Sequence, residues 1–199
     1  MHGRDRRVPT DATGGRCGVQ SDDLGVVIEG SARVSIADAV TSASTYLTEH
    51  PDEARYRDSH ARAHLDSGLV VAVTGPGGER LTTDMPTGIG GSASAPSPGW
   101  FLRAAAASCV ASLIAIRAAA TGVTVRSVDV EVDSESDDRG ILGLDPAIPA
   151  GALSIGVVVS IDAPGVDRAA LEALAAWAVE HCPVTDTITR AVALSIEIG

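Results

Sequence analysis

Two cysteines stand where a thiol could do chemistry. Cys109 lies in Ala105-Ala106-Ala107-Ser108-Cys109-Val110-Ala111, and Cys182 lies in Glu180-His181-Cys182-Pro183-Val184. The thiolate is the reactive form, and apolar surroundings raise a thiol pKa, so Cys109 in its alanine-rich run needs a neighbouring cation to ionise near neutral pH. The chain contains no Lys, which leaves Arg or His for that task. Cys182 falls at the end of a second helical pattern, where the partial negative charge of the helix end opposes a thiolate. That setting suits a resolving thiol better than an attacking one. Either cysteine alone is also an ordinary small packing residue, and the two can join only if their Cα atoms come within about 7 Å. Three cysteines in all, with Cys17 the third, are too few and too dispersed for a disulfide scaffold or a zinc site, so no metal is expected.

A second constellation, Gly88-Ile89-Gly90-Gly91-Ser92 ahead of a long helix, has the outline of an anion-binding loop. No Lys-Ser/Thr pair closes it, two prolines separate the glycines from the helix, and the segment before it reads as a hairpin. A glycine pattern without its strand-helix context is weak, and the loop reads as a flexible connection rather than a cofactor site.

The elements that must position the cysteines follow from periodicity. Ser35-Ile36-Ala37-Asp38 has the form of a capping box, with Ala39, Val40, Ala43 and Leu47 at helical spacing until Pro51. Leu69 to Thr74 and Glu79 to Thr83, separated by Gly75-Pro76-Gly77-Gly78, predict a hairpin, beside which Arg62 to Asp66 can pair. Trp100 to Thr121 is the longest helix, closed by Gly122; its apolar surface runs all round, which predicts burial on every side. Trp100 itself could line an apolar pocket at the helix start, and reads first as a packing residue.

Val128, Val130 and Val132 alternate with Asp129, Glu131 and Asp133 as a strand with one wet face, and Leu153 to Ile161 is its counterpart. Asp167 caps a helix running to about His181, and Val192, Leu194, Ile196 and Ile198 predict a final strand. Strands grouped around two substantial helices without regular alternation define an α+β class.

Composition narrows the functional classes. Fifteen basic residues, all Arg, against 26 acidic ones give a formal charge of −11, which argues against a nucleic-acid partner. The first residues lack the apolar core of a secretory signal. The apolar run Ala104 to Ile116 is bracketed by Arg103 and Arg117, so the expectation is a cytoplasmic protein without a membrane partner. Residues 1–34, which include Cys17, read as a flexible tail, and 35–199 as one domain.

Three stretches, taken in order, resemble a known family. They are Ser97-Pro98-Gly99-Trp100-Phe101-Leu102-Arg103 running on to Ser108-Cys109, then Val128 to Val132 with Asp138-Arg139-Gly140 following, and His181-Cys182-Pro183-Val184. They are similar to the OsmC/Ohr family over roughly residues 58–199. The resemblance implies antiparallel sheets wrapped around a long central Cys-bearing helix in an intertwined homodimer. It also implies reduction of organic or fatty-acid hydroperoxides without a cofactor: Cys109 becomes a sulfenic acid, Cys182 resolves it, and a dithiol reductant reopens the disulfide.

One position departs from the pattern. Peroxidase members carry a Glu ten residues before the reactive Cys, holding an Arg against the thiolate, and here that position is Gly99. Arg62 is the first candidate for the Arg, with His60 and His64 behind it. The departure keeps open a non-catalytic alternative, a small-molecule-binding or redox-sensing protein on the same fold.

Overall fold

The computed structural model describes residues 34–199, which form one compact unit. The expected tail and Cys17 therefore lie outside the described residues. Helix α1 (Ile36–Glu49) begins as the capping box predicts, with the Ser35 hydroxyl oxygen accepting from the Asp38 N–H at 3.1 Å. A three-stranded antiparallel meander follows: β1 (Arg62–Ser67), β2 (Val70–Thr74) and β3 (Arg80–Thr83). The β2–β3 turn is Gly75 to Gly78, where Gly78 takes the left-handed φ of +92° that a side chain disfavours.

Helix α2 (Pro98–Ala120) carries Cys109 near its middle. Its start is fixed by Ser97, whose hydroxyl accepts from the Trp100 N–H, and by Pro98 in the first turn, where its missing N–H costs nothing. Its end is equally explicit. Gly122 adopts φ +74°, the Val123 N–H reaches the Ala118 carbonyl at 2.8 Å and the Gly122 N–H that of Ala119, the paired bonds of a Schellman stop.

Strands β4 (Ser127–Glu135) and β5 (Ser154–Asp162) form an antiparallel pair in which Val128, Val130 and Val132 face Ile161, Val159 and Val157. Between them lies the short helix α3 (Asp138–Ile141). Helix α4 (Arg168–His181) is capped by Asp167, whose carboxylate accepts from the Ala170 N–H, and turns Leu174 and Ala178 inward. Helix α2 packs on β4 and α4, with α1 and α5 (Pro183–Thr189) also touching it. The centre of the core is Val110, Ile114, Ala178 and Cys182.

Two expectations are corrected here. Helix α2 is not buried on every side within the chain: Ala106, Val110, Ile114 and Ala118, spaced by four, are buried, while Ala105, Ser108, Ser112 and Ala120 are exposed or only partly covered. The β4–β5 layer and α4 cover one stripe, and no other described element fully covers the opposite one. Residues 192–198 form no strand either, and Leu194, Ile196 and Ile198 are exposed. Alternation specifies a face to bury but not a partner edge, and no described strand pairs with this segment. Helix α5, which stands just before it, has no counterpart among the sequence expectations.

Candidate functional site

Cys109 and Cys182 meet. Cys182 sits at the corner between α4 and α5, serving as the C-cap of one and the N-cap of the other. Pro183 produces the corner, because the residue before a proline is pushed out of the helical region, and Cys182 accordingly has φ −73° and ψ 118°. The Thr185 hydroxyl donates to the Val179 carbonyl at 2.5 Å and ties the corner down. The Cys182 side chain then points into the core beside Val110, Ile114 and Ala178, and Cys109 packs against that cluster from α2.

The two thiols are free, and Cys109 packs against the cluster that contains Cys182. Cys182 is shut off from solvent, whereas Cys109 is partly exposed. Burial first, and then the neighbouring Cys182 sulfur, push the Cys109 thiol up. Burial acts upward on Cys182 too, and the nearby Thr185 and Val184 N–H groups act downward. Cys182 ends α4 and begins α5, so the carbonyl end of one helix and the N–H end of the other act on it in opposite senses.

Among the described residues no Arg or His contributes to the acidity of Cys109. Arg62, His60 and His64 lie on or beside the exposed strand β1. Arg117 is two turns beyond Cys109, and its guanidinium lies 4.9 Å from the Trp177 ring centre, on which His181 stacks in turn at 4.2 Å. This ladder joins α2 to α4. Trp100 is half-exposed at the helix start, edge-on to Phe101, rather than a core anchor.

The glycine loop is neither a phosphate cradle nor a loose connection. Asp84, buried at the end of β3, accepts from the backbone N–H and hydroxyl of both Ser92 and Ser94 and from the Met85 N–H. Those bonds hold its carboxyl well below the usual carboxylate range. Gly91 is folded so close to Met85 that a Cβ would collide with its carbonyl. Asp84 was legible only as Asp followed by Ser-Ala-Ser eight residues on, a pattern with no distinctive chemistry.

A pair of facing thiols, one from the middle of a long helix and one from a proline-fixed corner, on an α+β fold of antiparallel sheets, defines a two-cysteine thiol protein. The family model described as OsmC-like protein matches residues 91–197, more than half of the chain, and the chain belongs to this family. Among solved structures, an organic hydroperoxide resistance protein from Legionella pneumophila is 25% identical, covering 67% of this chain and 90% of its own, with a TM-score of 0.52. An OsmC-like protein from Mycoplasma pneumoniae shares the fold at 15% identity, covering 68% and 89%, with a TM-score of 0.58. A protein from Psychrobacter arcticus does so at 18% identity, covering 67% and 90%, with a TM-score of 0.54. No curated protein matches the chain.

Proposed function

We propose that the protein is a cytoplasmic, thiol-dependent reductase of organic hydroperoxides acting in oxidative-stress defence as a homodimer. The observation that carries this reading is the mutual contact of Cys109 and Cys182, brought together from α2 and the α4–α5 corner. Cys109 is the solvent-reachable member and Cys182 the buried one, the order that attack followed by resolution requires. Membership of the OsmC-like family and the likeness to a hydroperoxide resistance protein support the substrate class.

The chemistry balances with the two thiols, a hydroperoxide and a dithiol. Ionised Cys109 attacks the outer peroxide oxygen; an S–O bond forms, the O–O bond breaks, and the leaving alkoxide takes a proton to become the alcohol. Cys182 sulfur then attacks Cys109 sulfur, forming the S–S bond and expelling hydroxide, which leaves as water with the proton Cys182 gives up. A dithiol reductant returns both thiols by exchange. Packing of Cys109 against the cluster that holds Cys182 supports resolution with little rearrangement.

The test is peptide mapping after one equivalent of cumene hydroperoxide. Wild type should yield the Cys109–Cys182 disulfide, Cys109→Ser none, and Cys182→Ser a sulfenic acid that accumulates after one oxidation. A dominant crosslink through Cys17, or no Cys109-dependent consumption of hydroperoxide, would overturn the reading. The raised Cys109 thiol and the Gly99 departure favour the second reading, a small-molecule-binding or redox-sensing member, if turnover is absent.

A further inference from the structure

Pro183 leaves the α4–α5 corner one backbone donor short. It has no N–H to give the Val179 carbonyl four residues before it, and the Thr185 hydroxyl takes that carbonyl instead. Those contacts tie the corner to its own two helices, and a stack of three side chains ties the end of α4 to α2. Trp177 and His181 are four apart on α4 and so share a face, with their rings 4.2 Å apart and 16° from parallel. A carbonyl only accepts, so His181 Nδ1 carries the proton that it gives to the Trp177 carbonyl at 2.8 Å, and the imidazole is held in that orientation. Arg117 brings the cation from α2, its Cζ 4.9 Å from the centre of the Trp177 ring.

Both cysteines are connected to this stack. Cys109, Leu113 and Arg117 are spaced by four on one stripe of α2, and Cys109 and Leu113 pack on the cluster of Val110, Ile114, Ala178 and Cys182. Trp177 packs on the same cluster, and His181 directly precedes Cys182 in the chain. Arg117 lies eight residues beyond Cys109, about 12 Å along the helix axis, so its effect on the thiols runs through Trp177. Apolar packing resists separation of two helices but is non-directional. A guanidinium over one ring and an imidazole stacked on that ring add direction, and the last turn of α4 keeps one setting against α2.

We infer that Arg117, Trp177 and His181 are positioning residues for disulfide formation: their stack fixes the end of α4, and with it the Cys182 corner, against the helix that carries Cys109. The inference rests on the reading of the two cysteines as a redox pair. The stack serves the step in which the Cys182 sulfur displaces hydroxide from oxidised Cys109, and attack of Cys109 on a hydroperoxide does not need it.

The equilibrium of the full chain with glutathione tests this without a hydroperoxide. Glutathione disulfide takes two electrons from Cys109 and Cys182, giving the protein disulfide, located by peptide mapping, and two glutathione thiols. The equilibrium constant is the effective concentration of one cysteine at the other. Trp177→Leu should lower it about tenfold, since a small misplacement of reacting groups is costly. Arg117→Met, which keeps the bulk and removes the cation, should lower it about threefold, and Arg117→Lys should recover most of that loss. His181→Phe, which keeps a stacked ring, should stay closer to wild type than His181→Ala. Each variant is checked for fold by circular dichroism. With one equivalent of cumene hydroperoxide, dimedone should trap about tenfold more Cys109 sulfenic acid in Trp177→Leu, while hydroperoxide loss stays within about twofold of wild type. Unchanged effective concentrations, Arg117→Met equal to Arg117→Lys, attack slowed as much as resolution, or a wild type that forms no Cys109–Cys182 disulfide with glutathione would each overturn the proposal. A wild type that consumes no hydroperoxide, with the glutathione differences intact, would sink the reductase reading and leave the positioning role standing.

Discussion

Cys109 on α2 packs against the cluster that contains Cys182 at the α4–α5 corner, and Cys109 is partly exposed while Cys182 is shut off from solvent. Burial first, and then the neighbouring sulfur, push the Cys109 thiol up, and this bears directly on rate and pH dependence.

A raised thiol pKa means that Cys109 is neutral at pH 7 and that its thiolate grows about tenfold per pH unit until pH reaches the pKa. Alkylation of Cys109 by iodoacetamide, followed by mass spectrometry, should rise in that way from pH 7 past the ordinary thiol range. Hydroperoxide consumption should be slow at neutral pH and rise along the same curve. Arg62→Gln should leave the curve in place, since Arg62 does not act on Cys109. A plateau below pH 7 would contradict the assignment.

Asp84 accepts from two serines and a backbone N–H, and it folds the glycine loop against the start of α2. Its carboxyl is depressed, so the stability it contributes is present above the unfolded carboxylate value of about 4 and is lost as pH falls through the lower folded value. Asp84→Ala leaves the Ser92 and Ser94 donors without their acceptor and should lower the melting temperature at pH 7 by roughly 5 °C. The difference from wild type should shrink in strong acid. A melting temperature unchanged at pH 7 would show that the loop is held by other contacts.

Local signals were legible wherever the chain itself supplies both partners. Ser35, Ser97 and Asp167 cap their helices, Gly122 stops α2, and the valines of β4 find those of β5. The site was legible as two cysteines, but their contact depended on the corner at Pro183 and on the packing of α4 against α2, neither of which periodicity encodes. The strand expected at 192–198 failed for a related reason: its alternation describes a face, and no described strand offers it an edge.

Gly99 occupies the second position of α2, after the Ser97 cap and Pro98. Replacing glycine in a helix gains about 1 kcal/mol of propensity, and an acidic group in the first turn adds about 0.3–1 kcal/mol. Nothing lies closer than 3.8 Å to a Cβ at this site. Gly99→Glu should therefore raise the melting temperature by about 3–8 °C. It should not restore fast peroxidase turnover, because in one chain the introduced carboxylate would pair with Arg103, away from Cys109. A lower melting temperature, or a large gain in turnover, would refute this.

The two faces of α2 separate folding from association. Ala106 is almost fully buried against the chain's own core, so Ala106→Arg would place a charge where no partner waits and should prevent folding. Ser112 lies on the exposed side two turns further on, in the stripe that contains Ala105 and Ser108. If that stripe meets a second copy, the interface of a permanent dimer should bury on the order of 2,000 Å² or more in total, and an Arg there would clash with its own symmetry mate. Ser112→Arg should then give a folded monomer, with the helical circular dichroism of wild type and half its sedimenting mass. The exposed segment 192–198 should be protected from proteolysis in wild type and cut in the variant, because a strand edge from the second copy would be its partner. A wild-type chain that sediments as a monomer at micromolar concentration would refute the dimer. Ser112→Arg protein that remains dimeric would place the interface on another face.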